Sequence, residues 1–217
     1  MGFTVYDCRK DIRNILVTPQ IRARFCRMEP GPGSLDKYHT HDLGHEIFII
    51  LSGRVEFRIS GVTKELGPGQ MCYALADEPH SVRVLGDEPV YMYLSVTPHI
   101  QPTHTQYSDD GERLPPQFRP SSDYDTETDS TSLIDALIDH HVDTAQLVAD
   151  MAQNSAQIQE QMAAALKQAL AAGDEKAAAE IRNVMWKPLL ETFKEVNKMA
   201  AEWNTLTPRV GSLHIYR

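Results

Sequence analysis

Cysteine is scarce in this chain: three in 217 residues, Cys8, Cys26 and Cys72, with no CxxC pair. So sparse and odd a set argues against a disulfide scaffold or a cysteine zinc site and points to a reducing, cytoplasmic setting. Long apolar runs are missing too. Nothing approaches the roughly eighteen residues a membrane helix needs, so no membrane partner is expected. The opening Met1-Gly2-Phe3-Thr4-Val5-Tyr6-Asp7 lacks the basic and apolar regions of a secretory signal, and Tyr6 stands where a myristoylation motif has Ser or Thr. Positive charge is in deficit, with 21 Lys and Arg against 30 Asp and Glu and a net charge of −9. Nucleic acid, which calls for a basic footprint, is therefore not expected as a partner.

What remains is ordinary for a water-exposed globular chain, 41% apolar and 24% charged. Short β-like pieces open it, at Phe3–Tyr6, Ile15–Val17 and Ile21–Cys26, the last alternating apolar with basic residues. From Tyr38 to Thr97, short apolar runs are separated by Gly or Pro at nearly every junction (Ser52-Gly53, Ser60-Gly61, Gly67-Pro68-Gly69, Glu78-Pro79, Glu88-Pro89). Such text predicts an antiparallel sandwich or barrel of about eight strands, and the lack of βαβ alternation excludes a parallel sheet. Residues 107–131 hold 2 basic and 7 acidic groups, and so −5 of the total charge, along with Pro115, Pro116 and Pro120. That composition reads as an exposed linker. Beyond it the pattern is helical. Ser132-Leu133-Ile134-Asp135 fits a capping box. One apolar stripe runs from Ile134 through Ile138, His141, Ala145 and Val148 to Ala152, and a second from Ala178 through Met185 and Leu189 to Trp203. Gly173 and Asp174 break them, and Pro188 predicts a kink. The expected organisation is a β-domain over 1–106, a linker over 107–131, and an antiparallel helical hairpin over 132–217 with a short strand at Leu213–Tyr216.

The chemistry concentrates in Gly33–Gly53. His39 and His41 fall two apart, about 7 Å along one strand face. A turn at Asp42-Leu43-Gly44 would return Glu46 beside them on the next strand. Two imidazoles and a carboxylate on one face make three corners of a metal site. His80, starting a strand after Asp77-Glu78-Pro79, is the fourth candidate. If the three strands line one concave face, its inward set is His39, His41, Glu46, Phe48, Ile50, His80, Val82 and Val84, a polar rim over an apolar floor.

These residues resemble the cupin superfamily. Its first motif, G-x5-H-x-H-x4-E-x6-G, is matched at Gly33, His39, His41, Glu46 and Gly53. The second, G-x5-P-x-G-x2-H-x3-N, is matched at Gly69 and His80, while Leu75, Asp77 and Val84 replace its Pro, Gly and Asn. The likeness covers about residues 20–100 and none of the chain beyond 107. It implies a small jelly-roll β-barrel, mainly β with an α appendage, in which His39, His41, Glu46 and His80 hold a divalent metal. Three imidazoles and a carboxylate suit iron, manganese, nickel, copper or zinc and leave coordination positions open.

Other residues receive lesser roles. Phe48, Tyr73, Tyr93 and Arg24 are candidate walls of a substrate pocket, and Arg22 and Arg24 share a strand face that suits a carboxylate clamp, although paired arginines more often face solvent. His45 reads as a solvated turn residue. His99 and His104 read as surface residues or a lid, and His140 and His141 as part of a helix face. Cys72 resembles the thiol of thiol-oxidising members, but those lack the glutamate present here. The expected function is a metal-dependent enzyme, oxygenase or isomerase-like, acting on a small polar molecule. The rival is a non-catalytic sensor whose hairpin makes a homodimer or meets a partner.

Overall fold

The structure, a computed structural model, describes residues 2–31, 37–108 and 110–210. The first motif glycine, Gly33, and the expected strand at Leu213–Tyr216 lie outside the described residues. Among the described residues, ten strands form two five-stranded antiparallel sheets: β1 (Asn14–Val17), β2 (Arg22–Met28), β3 (His39–Thr40), β4 (His45–Ser52), β5 (Arg54–Ile59), β6 (Val62–Leu66), β7 (Met71–Ala74), β8 (His80–Leu85), β9 (Val90–Thr97) and β10 (Thr105–Gln106). One sheet runs β1-β2-β9-β4-β7 and the other β10-β3-β8-β5-β6. The strand pattern predicts such an antiparallel sandwich or barrel, and the cupin resemblance implies the jelly roll seen here. The piece Phe3–Tyr6 is not a strand; Phe3 and Val5 stand in solvent and pair with no strand among the described residues.

Strict alternation makes the core. Along β4 the even positions Glu46, Phe48 and Ile50 are buried while His45 and Ile47 are exposed and Ile49 is half-buried. Their partners share that parity: Phe48 lies opposite Leu94 of β9 and Cys72 of β7. Phe48, Ile50, Val55, Phe57, Val82, Val84, Val90 and Met92 close the interior, with Phe48 and Phe57 rings 4.7 Å apart. Gly53 turns β4 into β5 at φ +80°, and a Cβ there would lie 2.8 Å from Val90 Cγ2 and 2.9 Å from the Pro89 carbonyl. Only glycine fits that approach.

The chain divides into two compact units. One takes residues up to Asp129 together with the last turn of the second helix from Thr207; the other is Ser130–Leu206. In the second unit, α1 (Ile134–Ala171) and α2 (Glu175–Val210) run antiparallel, tied by Thr144 Oγ1 donating to Glu202 Oε1 (3.0 Å) and Gln159 Nε2 to the Met185 carbonyl (2.8 Å). Gly173 takes the left-handed position at φ +67°, and Asp174 Oδ1 caps α2 through the Ala177 amide. The capping box does not form: Leu133 occupies the α1 cap without a side-chain bond. The second helix continues through Pro188. Among the described residues no helix is long and apolar enough to cross a membrane.

Candidate metal centre and its cavity

Three strands and one turn deliver the cluster. His39 lies opposite His80 where β3 meets β8, and opposite Gln106 on β10. β3 stops at Thr40, so His41 sits just past the strand. Gly44 then lets the turn pass under Val96 and the Pro98 carbonyl, where a Cβ would meet atoms at 2.7 and 2.9 Å. Glu46 follows in mid-sheet between Ala74 and Val96. One ligand atom from each of His39, His41, Glu46 and His80 lies within 4.8 Å of the others, and all four residues are buried. The group can hold a metal ion.

Each ring is held from behind by the main chain. His39 Nδ1 bonds the Lys37 carbonyl (2.7 Å), His41 Nδ1 that of Thr103 (2.5 Å), and His80 Nδ1 that of Glu78 (2.8 Å). The Nε2 atoms turn inward. Those of His41 and His80 reach Glu46 Oε2 at 2.8 and 3.0 Å, and that of His39 stands 3.9 Å away. Burial would raise the Glu46 carboxyl, but the hydrogen bonds and charges of His41 and His80 outweigh it and hold it well below the ordinary carboxylate range. The second motif's loop is sound despite its departures. Asp77, standing for the usual glycine, adopts φ +62°, which Asp tolerates better than most residues, and its amide donates to the His41 carbonyl (2.9 Å). His45, exposed as expected, accepts from the Ala76 amide at 2.9 Å and so pins that loop.

Beside the cluster opens a cavity of about 590 Å³, with Arg22, Arg24, Phe48, Leu94, His104 and Tyr124 in its wall. Phe48 and Arg24, both expected at a substrate pocket, line this cavity, and Arg22 joins them instead of facing solvent. Tyr73 and Tyr93 do not line it. They sit at odd parity: Tyr73 lies opposite exposed Ile47, and Tyr93 opposite Phe25 and Ile49, its ring edge-on to Phe25 at 6.0 Å. Cys72 does face inward, but burial and then the charge of Glu46 push its thiol up to about 12.

The largest difference from expectation is residues 99–108 and 110–125, which fold back onto the barrel and supply part of the cavity wall. His99 is buried against Tyr124, rings 4.7 Å apart, and Tyr124 also lies under the Arg22 guanidinium at 5.6 Å. His104 packs 4.5 Å from His41 and bonds Thr103 Oγ1 through Nδ1 (2.7 Å). Neither is a surface residue. Burial first, then neighbouring positive groups, pushes His99 down to about 3 and His104 well below its usual range. Asp125 accepts from the Asn14 amide (2.8 Å). Arg113 bridges Asp42 (2.7 Å) and Asp77 (3.3 Å), one acid in each ligand-bearing loop. The signal that marked this stretch was slight: its only two basic residues, Arg113 and Arg119, both return to the barrel.

No curated protein matches the chain. The model of the Cupin_2 family, described as a cupin domain, matches residues 24–97. Similar solved structures include a conserved protein with a double-stranded β-helix domain from Klebsiella pneumoniae, at 20% identity over 45% of this chain and 91% of that one, TM-score 0.41. KdgF from Halomonas sp. is 21% identical over 40% and 78%, TM-score 0.36, and the DMSP lyase DddQ from Ruegeria pomeroyi 25% identical over 44% and 47%, TM-score 0.38. With the family match, the two five-stranded antiparallel sheets and the gathered His-His-Glu-His group, residues 24–97 of this chain are a cupin domain, and helices α1 and α2 lie outside it.

Proposed function

We propose that this chain is a metal-dependent cupin enzyme in which His39, His41, Glu46 and His80 hold one divalent ion beside a small polar substrate. The observation that carries the reading is the fate of Nδ1 in each ring. A backbone carbonyl can only accept, so each Nδ1 bears the proton and donates. A neutral ring then turns a bare Nε2 lone pair toward Glu46 Oε2. Lone pairs at 2.8 and 3.0 Å from a carboxylate oxygen repel unless a cation sits among them. Protonating both Nε2 atoms instead would leave two imidazolium rings 5.6 Å apart in a site where His41 and His80 are each 2% exposed. Charge crowded there is costly. A metal removes the conflict, with the carbonyls fixing tautomer and ring direction. Iron, manganese, nickel, copper and zinc all accept this donor set.

When bound, the ion supplies a Lewis acid that polarises a coordinated oxygen of the substrate. The chain's own part is to orient the donors, keep Glu46 ionised and shut out bulk water with Phe48 and Tyr124. Oxygenase or isomerase-like chemistry fits such a site. Elemental analysis of the purified chain beside His39→Ala and His80→Ala tests the centre: about one equivalent in the parent and a large loss in both variants is expected, and equal metal in all three refutes it. Oxygen uptake by the Fe(II)-loaded chain across small acids, sugars and phenols separates the oxygenase branch from the other. A cytoplasmic setting is part of the same reading, carried by the scarcity of cysteine in the sequence.

A second reading has the hairpin joining two copies, with the barrel as a binding or sensing module. It draws on Val142, Leu147, Val184, Trp186 and Phe193, each 42–59% exposed on the helices. Turnover with any substrate decides between enzyme and sensor.

A further inference from the structure

We infer that the cavity beside the His-Glu group is an oxyanion subsite, built by Arg22, Arg24 and Arg119 to hold a carboxylate or phosphate group of the ligand. This deepens the metalloenzyme reading and rests on it for where the reacting end lies, not for the binding of the anion.

The β2 register sets the first two arginines. Arg22, Arg24 and Cys26 lie opposite Val96, Leu94 and Met92, on the inward parity of the barrel. Arginine is almost never enclosed without a partner. Arg22 is 5% exposed, yet its guanidinium stands 3.8 Å from Glu46 Oε1, outside hydrogen-bond range, and faces the Tyr124 ring. The Nε atoms of Arg22 and of Arg24 are both buried with no hydrogen-bond partner among the described residues. Enclosed donors left unmet cost free energy, and two such donors in one cavity wall call for an acceptor. Glu46 does not meet these donors, because its nearer oxygen, Oε1, stands 3.8 Å from the Arg22 terminal nitrogen and neither Nε bonds it.

The folded-back segment adds the third arginine. Arg119 lines the same cavity, its backbone tied to Gln101 at 3.2 and 3.3 Å, and its contact with Asp123 is loose at 3.9 Å. A purely structural role would pair these guanidinium groups with the protein's own carboxylates, as Arg113 is paired on the rim. Arg24 makes no such pair among the described residues. The planar fork of a guanidinium matches a carboxylate bidentately and serves phosphate as well. A metal in the cluster would add positive charge to a wall already basic, so a neutral ligand would leave this end of the cavity unmatched.

The test uses the full chain, with metal content measured in every sample. Malonate, inorganic phosphate and neutral propane-1,3-diol are titrated calorimetrically into the parent, Arg24→Ala, Arg24→Lys and Arg119→Ala, with and without prior chelation. At least one anion is expected to bind and the diol not to. Each alanine variant should weaken the anion about tenfold or more, as loss of a charged hydrogen bond does, while metal content stays unchanged. Arg24→Lys, which keeps charge but not the fork, should restore only part. Malonate binding alone assigns a carboxylate, phosphate binding alone a phosphate group. No binding of either anion to the parent, or affinity in both alanine variants equal to the parent's, overturns the inference. If the parent carries no metal but arginine-dependent anion binding persists, the metal reading fails and the subsite stands. Arg22, packed on Tyr124, is left intact so that folding is not in question; should Arg24→Ala fail to fold, Arg24→Gln and Arg119→Ala carry the test.

Discussion

Cys72 and His99 show how burial sets chemistry residue by residue. The Cys72 thiol, pushed up to about 12 by burial and then by Glu46, is almost never a thiolate at neutral pH, and the thiolate is the reactive form. Iodoacetamide at pH 7.5 should therefore label Cys72 in the native chain far more slowly than after denaturation, read by peptide mass mapping; equal rates would refute the placement. His99 falls from the ordinary 6.5 to about 3 because burial, then Arg22 and His41, disfavour its charged form. Between those values the unfolded chain holds a proton that the folded chain does not. The contribution is whole above about 6.5 and is lost as pH falls toward 3, with a slope of up to about 1.4 kcal/mol per pH unit for one proton. In denaturant titrations across pH, His99→Phe should keep the ring against Tyr124 and lose about that slope relative to the parent. At this scale the four candidate ligands were legible, because fixed spacing and type suffice. Tyr73 and Tyr93 were misplaced because aromatic character was weighed without parity: each sits one residue off an inward partner, Cys72 and Leu94, whose registers meet at Phe48.

Among the elements, the β4–β5 turn and the segment folded back onto the barrel behave oppositely. Gly53 is a positional requirement. Alanine there would meet backbone at 2.9 Å in a left-handed conformation, at about 1–2 kcal/mol for the conformation alone before any clash. Gly53→Ala should lower the melting temperature by several degrees, whereas Gly61→Ala, equally left-handed but in open space, should cost less; the reverse order would refute the contact. The folded-back segment contributes by polar burial instead. Gln101, Thr103, Thr105 and Ser121 are buried with Tyr124, and such residues leave no hydropathy signature. That is why acid-rich text with several prolines suggested a linker, and why Arg119 was not foreseen at a cavity wall. Comparing chains ended at 106 and at 129 weighs its contribution: the longer should melt at clearly higher temperature, and equal melting would show that 107–129 adds nothing to the barrel.

On the scale of the whole molecule, the two-sheet architecture and the helical hairpin were legible because each obeys a single period, two along the strands and about three and a half along α1 and α2. What the hairpin assembles with was not, since an apolar residue on a helix looks the same whether it meets its own chain or another. If two copies meet there, sedimentation equilibrium should give a dimer for the parent and a monomer for Trp186→Glu combined with Phe193→Glu; a parent that is monomeric at high concentration ends that reading. The carbonyls of Lys37, Glu78 and Thr103 carry a further consequence. Because main-chain oxygens aim the three imidazoles, no side-chain replacement at those positions deletes the acceptor. Positions 37, 78 and 103 are thus open to sequence drift at the level of ring orientation, and descendants of this chain can lose every recognisable residue around the histidines while inheriting their geometry from the course of the backbone.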